Sequence, residues 1–215
     1  MTDLAIVDHA PPLCSGQADT VACFTPGTRI ATPKGERLVE TLTIGDRILT
    51  RDNGIQSITW AGFRPIPTDA MKDKKTLRPV LIRAGSLGRD MPERDMLVSP
   101  QHRMLVVSDL AKAHFNEKEV LVAAKDLTML DGVDVVNVPG TTYLHFMFDA
   151  HQVVLSDGTW SESFQPNDFS LKGVAAEQRS ELLNIYPNLA TNDGLKGYTT
   201  ARKALKRIES YLLFK

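Results

Sequence analysis

The chain has 215 residues, 42% of them apolar and 24% charged, with a formal net charge of -1. That is enough chain for one or two domains with a real core, and so small a net charge sets up no global field drawing it to nucleic acid or an anionic membrane. No run approaches the roughly 18 consecutive apolar residues of a membrane span, so none is expected.

Residues 1–21 read as a flexible N-terminal tail, because Ala10-Pro11-Pro12 and Ser15-Gly16-Gln17 break any periodicity. The opening Met1-Thr2-Asp3-Leu4 lacks the basic start of a cleaved secretory signal, though export by another route stays open. Cys14 and Cys23 are close enough to bridge. A bridge would block the chemistry assigned below to Cys23, so a reducing, cytoplasmic setting is expected.

From residue 23 to about 163 the pattern is mostly β. Arg29-Ile30-Ala31-Thr32 reads as a strand, followed by a turn at Pro33-Lys34-Gly35-Glu36. Leu38 to Leu42 reads as one helical turn, and Arg47-Ile48-Leu49-Thr50 as a strand. Asp52-Asn53-Gly54 is a hairpin signal. The lysine-rich stretch from Ile66 to Thr76 reads as a surface loop. Met96 to Val98 and Arg103 to Val107 read as strands flanking Ser99-Pro100-Gln101-His102, while 109–122 is open between helix and strand. Val133 to Val138 and Tyr143 to Phe148 alternate as strands, and a Ser156-Asp157-Gly158 turn follows Gln152 to Leu155. Short strands with regular turns and no βαβ rhythm predict an all-β, non-parallel module. After Pro166 the pattern becomes helical. Helices are predicted over 175–186 and 200–213, the second with an apolar stripe at Ala201, Ala204, Leu205, Ile208 and Leu212 and a basic face at Arg202, Lys203, Lys206 and Arg207.

Three clusters can carry chemistry. Cys23 sits at the edge of the ordered region behind the small Ala22, where a thiol can attack the preceding carbonyl and turn an amide into a thioester. Ser99 and His102 place a hydroxyl and an imidazole three residues apart. The imidazole is suited to protonating a departing amide nitrogen and the serine to hydrogen bonding the same amide or the oxyanion. Asp149 and His151 stand at i and i+2, on one face if the segment is a strand. Asp149 then takes a proton from Cys23 or orients His151, which polarises a carbonyl or deprotonates a nucleophile. Plainer readings stand beside these: Cys23 as a small buried hydrophobe, Ser99 and His102 as a turn serine and surface histidine, Asp149 as an exposed turn residue. His145 reads as a hydrogen-bonded interior residue, and His114 is uninformative. No paired Cys or His spacing marks a zinc site, and neither metal nor cofactor is expected.

The clusters, in this order, resemble the Hint (hedgehog/intein) superfamily. Cys23-Phe24-Thr25-Pro26-Gly27-Thr28 is similar to its opening block, and Leu42-Thr43-Ile44-Gly45-Asp46-Arg47-Ile48-Leu49 to the Leu-x-x-Gly-Asp element that follows. Val98-Ser99-Pro100-Gln101-His102 resembles the Thr-x-x-His block with Ser for Thr, and Tyr143 to Gly158 the late block with a histidine and a glycine turn. The wording is most like that of bacterial Hint-domain proteins.

The resemblance implies a mostly β, horseshoe-shaped fold of short antiparallel strands with pseudo-two-fold halves. Its domain is expected over 22–164, with a helical C-terminal extension over 165–215. It implies an N→S acyl shift at Cys23, giving a thioester with Ala22 and aided by Ser99 and His102. Inteins end in His-Asn followed by Cys, Ser or Thr; the aligned residues here are Ser161, Glu162 and Ser163. Glu162 has no side-chain amide to cyclise, so splicing is not expected, although Ser163 is a candidate C-terminal nucleophile. Nothing in the extension marks a sterol site. The expected outcome is single-turnover, cis-acting cleavage at Ala22–Cys23, with the chain's own N-terminal segment as substrate and water or another external nucleophile resolving the thioester. The rival reading is a degenerate Hint module that binds a partner or serves secretion. Oligomeric state is left open.

Overall fold

The computed structural model describes residues 21–214. The tail expected over 1–21, apart from Val21, lies outside them, and with it the opening Met1-Thr2-Asp3-Leu4 and Cys14.

Among the described residues there are fourteen strands: β1 (Arg29–Thr32), β2 (Gly35–Leu38), β3 (Arg47–Leu49), β4 (Ile55–Ser57), β5 (Trp60–Ile66), β6 (Val80–Ile82), β7 (Met96–Val98), β8 (Arg103–Val107), β9 (Glu119–Ala123), β10 (Val133–Val135), β11 (Thr141–Met147), β12 (Val153–Ser156), β13 (Thr159–Glu162) and β14 (Lys203–Ala204). Six short helices accompany them: α1 (Thr68–Asp73), α2 (Asp109–Phe115), α3 (Asp168–Gly173), α4 (Ala176–Ile185), α5 (Asn192–Gly197) and α6 (Arg207–Ser210). One sheet runs β14-β9-β8-β13-β12-β1-β2, another β10-β6-β7, and two pairs are β11-β5 and β3-β4. Among these strands every pairing is antiparallel except β14 on β9. The mostly β, antiparallel class expected from the alternating segments is therefore the one observed.

Alternation also decides which faces are buried. On β11, Tyr143, His145 and Met147 are 2%, 3% and 0% exposed, and they share one side of the strand. That side meets Trp60, Phe164 and Cys23, and the same apolar cluster takes in Leu171, Val174, Leu182 and Leu189 from the segment after Pro166. The C-terminal extension thus shares the core that encloses Cys23. A second cluster, from Val80 and Val98 through Met104 and Val122 to Leu205 and Leu213, fills the space between the β6–β7 sheet and β8–β9.

Two expectations fail. Ile66 to Thr76 is not an irregular surface loop: β5 reaches Ile66, α1 follows, and a single 3-10 turn covers Lys75–Leu77. Met71 and Leu77, both nearly fully buried, anchor this segment despite its lysines. The second C-terminal helix is also absent. Lys203–Ala204 instead pairs in parallel with Val120 and Leu121, and Leu205 N–H donates to Leu121 O at 2.9 Å. Only α6 and a 3-10 turn at Tyr211–Leu213 follow. The outer edge of β9 offers unpaired backbone groups that an extended segment satisfies, and tertiary pairing overrides the helical propensity. Ile208, on the predicted stripe, remains 74% exposed. The predicted basic face is dispersed: Arg202 bonds Asp52 and Glu119, and Lys203 lies over the Phe115 ring. Among the described residues, no helix is long and apolar enough to cross a membrane.

Candidate functional site

Backbone hydrogen bonds thread Cys23–Phe24 between the end of β7 and the middle of β11. Phe24 N–H donates to Leu144 O at 2.8 Å, Leu144 N–H returns to Phe24 O at 2.9 Å, and Ser99 N–H donates to Cys23 O at 3.0 Å. Phe24 also bridges to Val98. The two sequence stretches that hold Cys23 and Ser99 therefore meet, through a 76-residue separation in sequence.

Ser99 does more than adjoin Cys23. Its Oγ accepts the Cys23 amide N–H at 2.8 Å and donates to Val21 O at 2.6 Å. One hydroxyl, with one proton to give and two lone pairs to offer, fastens the backbone on both sides of Ala22. Ser99 is fully buried, so removing it would leave both backbone groups without this partner.

His102 follows in the same turn, its N–H donating to Ser99 O at 3.0 Å. The imidazole is not a surface group: it is 1% exposed and packs on Phe24 with ring centroids 4.4 Å apart. Among the described residues neither ring nitrogen has a hydrogen-bond partner. Burial pushes its pKa down to about 4, against a smaller upward pull from Glu162, so it is neutral at pH 7.

The residue that reaches the thiol is His145. Its Nδ1 lies 3.4 Å from Cys23 Sγ. The ring is stacked on Trp60 at 5.1 Å and tilted against Phe164 at 5.2 Å. Burial lowers the His145 pKa to about 3 and raises that of the Cys23 thiol well above its ordinary value, the latter eased by Arg64 and reinforced by Glu162. Both groups are therefore neutral at rest, a thiol beside an imidazole that can accept its proton. Sequence reasoning set His145 aside as an interior residue. The available signal was a titratable side chain at the centre of an inward-facing Tyr143–His145–Met147 row.

Asp149 and His151 do not share a strand face, because β11 ends at Met147 and β12 begins at Val153. Asp149 is exposed and accepts the Tyr186 hydroxyl at 2.7 Å. His151 is buried, and its Nδ1 accepts the Ala201 N–H at 3.0 Å. That leaves the ring proton on Nε2, which donates to Ser163 O at 3.1 Å and lies 3.4 Å from Glu162 Oε2. Glu162 in turn accepts the Arg103 backbone N–H and the Arg103 Nη1, each at 3.0 Å. Burial would raise the Glu162 carboxyl; Arg103, His151 and His102 outweigh it, and the group is held below the ordinary carboxylate range. Ser163 is buried with its Oγ accepting the Gln152 N–H at 3.0 Å, and Ser161 Oγ is 2.9 Å from Ser156 Oγ. The chain passes on from Ser163 into the core, where Phe164 N–H donates to Phe146 O at 2.9 Å.

The arrangement combines a buried thiol beside a neutral imidazole, an amide gripped at its nitrogen by a serine, and a carboxylate–histidine–arginine cluster behind. A family model described as Hint domain matches residues 22–168. Among solved structures the chain is similar to the AceL NrdHF class 3 split intein, a splice-inactive variant, with 15% identity, coverage of 66% of this chain and 97% of that one, and a TM-score of 0.43. It is also similar to a bacterial intein-like domain from Clostridium thermocellum, with 11% identity, coverage of 67% and 99%, and a TM-score of 0.41. The gp41-1 intein is 9% identical, with coverage of 66% and 98% and a TM-score of 0.39. No curated protein matches the chain.

Proposed function

The chain belongs to the Hint domain family, and on that premise we propose that it cleaves itself once, in cis, at the Ala22–Cys23 bond. The observation that carries this reading is the Ser99 hydroxyl on the Cys23 amide, with the Cys23 thiol facing His145 Nδ1. The sulfur attacks the Ala22 carbonyl carbon while its proton passes to His145. The carbon–nitrogen bond then breaks, and the Cys23 nitrogen leaves with the proton that His145 took from the thiol, so His145 ends neutral; His102, neutral itself, gives up no proton. The product of this step is a thioester between Ala22 and Cys23. Ser99 holds the segment on both sides of Ala22, which restricts the freedom of the backbone that carries the reacting carbonyl. Because burial disfavours both thiolate and imidazolium, proton transfer has to accompany attack. Splicing does not follow: a carboxylate at Glu162 cannot cyclise, and Ser163 is committed to the Gln152 amide.

The test is intact-mass analysis of purified protein at neutral pH, with and without hydroxylamine or dithiothreitol. Release of the segment ending at Ala22, abolished by Cys23→Ala, is the expected result. A chain that stays whole under both reagents while Cys23 remains a free thiol would sink the proposal. That outcome would favour the second reading, a quiescent Hint module, for which the supporting observation is a nucleophile only 2% exposed and held protonated.

A further inference from the structure

Beside the scissile segment lies a cleft of about 160 Å³ walled by Val21, Ala22, Gln101, Arg103, Glu162 and Gln165, among others. Its walls place the electrophile, Ala22, and a buried carboxylate, Glu162, on one small cavity. The cavity has room for a handful of waters at roughly 30 Å³ each in the liquid. The lining sets Gln101, Arg103, Glu162 and Gln165 beside Val21, Ala22 and Phe169, so a water inside it finds polar partners.

Glu162 is not saturated. Its Oε1 accepts the Arg103 N–H, and its Oε2 takes the Arg103 guanidinium and faces His151 Nε2. A carboxylate offers about four lone-pair sites, so one remains on Oε1. The side chain is buried yet borders the cleft, so a water placed there meets a fixed acceptor with no reorganisation.

We propose that this cleft admits water to the Ala22 thioester and that Glu162 is the proton acceptor, making hydrolysis the fate of the acyl group. The inference rests on the acyl shift argued above. The water oxygen bonds to the Ala22 carbonyl carbon, and one water proton passes to Glu162. The carbon–sulfur bond breaks, and the Cys23 thiolate takes that proton back. The products are a carboxylic acid at Ala22 and a free thiol at Cys23; nothing is oxidised or reduced. A carboxylate held low by Arg103 is a weak base, so its contribution belongs at about tenfold, below the usual 10²–10⁴ of general base catalysis.

The experiment compares water-driven and thiol-driven release in the full chain and in Glu162→Gln. An external thiolate needs no base, so thiol-driven release reports the acyl shift alone. Water-driven release should fall about tenfold further than thiol-driven release in Glu162→Gln, with Glu162→Asp intermediate. In heavy-oxygen water the released segment should carry one labelled oxygen. Equal loss of both releases would reduce Glu162 to a structural ion-pair partner, and no loss of either would remove it from the reaction; either result overturns the proposal. A wild-type chain that releases nothing under water or thiol, with no thioester trapped by hydroxylamine, defeats the acyl shift itself and this inference with it. Thiol-driven release with no water-driven release in the wild type defeats this inference alone.

Discussion

His145 Nδ1 lies 3.4 Å from the sulfur of Cys23, and the two side chains come from positions 122 residues apart in sequence. Both are sealed from solvent, so neither carries a charge at rest. The pair differs from a low-pKa reactive cysteine, whose thiolate is preformed next to a cation or helix N-terminus. Replacing His145 with Gln roughly keeps the packing volume and removes the imidazole proposed to take the thiol proton. Release at Ala22–Cys23, followed by mass spectrometry, should slow about 10²-fold. An unchanged rate would assign the thiol proton elsewhere.

Ser99→Ala removes one oxygen that serves two backbone groups. The Cys23 N–H and Val21 O lose that partner in a buried setting, at about 1–3 kcal/mol for each unsatisfied group. The variant should melt measurably lower and cleave more slowly, and Ser99→Thr should recover part of both. Thermal melting read beside the cleavage rate separates the two effects.

Gly62 is fixed by its neighbours and not by its backbone angles. A Cβ there would come within 2.6 Å of Gln178 Oε1, 2.7 Å of His145 Nε2 and 2.8 Å of the Trp60 ring. Gly62→Ala therefore has to displace His145 from Cys23 or push Trp60 aside. It should cost about 1–3 kcal/mol as an overpacked core does, and it should slow cleavage by at least about tenfold if His145 moves. A variant with wild-type melting and wild-type rate would mean the ring has slack that the structure does not show.

Acid should destabilise the fold before it protonates ordinary surface carboxylates. The pKa values of His102 and His145 are lowered by burial from 6.5 to about 4 and about 3. The unfolded chain then binds more protons than the native one between these limits, so stability rises with pH across the window. The full contribution is present above pH 6.5 and is lost as pH falls towards 4. At about 1.4 kcal/mol per unit, going from pH 7 to pH 5 costs about 2 kcal/mol for each histidine. Melting temperature should drop by roughly 10 °C over that range, and His102→Gln should flatten the dependence. A melting curve indifferent to pH between 5 and 7 would show that these rings are hydrated.

The strand that opens at Arg103 and the one that ends at Val98 were legible because alternation and a proline turn bounded them on both sides. Ser99 and Cys23 were legible as chemistry because a hydroxyl and a thiol stand out at turns and boundaries. His145 was not, since its position mid-strand is where a packed interior histidine also sits; only the fold brings Cys23 to its Nδ1. Asp149 misled for the converse reason. A two-residue spacing implies a shared face only within a strand, and here the chain bends between β11 and β12, so the carboxylate turns out to Tyr186. The C-terminal stripe failed because apolar spacing near 3.6 cannot reveal an open sheet edge on β9, 83 residues earlier in the chain, where Arg202 also meets Glu119.

The bond from Ala201 N–H to His151 Nδ1 spans 50 residues, and β14 closes on β9 just beyond it. At synthesis rates of about 5–20 residues per second, His151 waits roughly 3–10 s on the ribosome for the amide that settles its tautomer. During that interval Cys23, Ser99 and His145 are already made, while Leu171, Leu182 and Leu189, which share the apolar cluster around Cys23, are still being added. The order of synthesis thus acts as a clock: the fully assembled site belongs only to a chain whose C-terminal segment has been delivered.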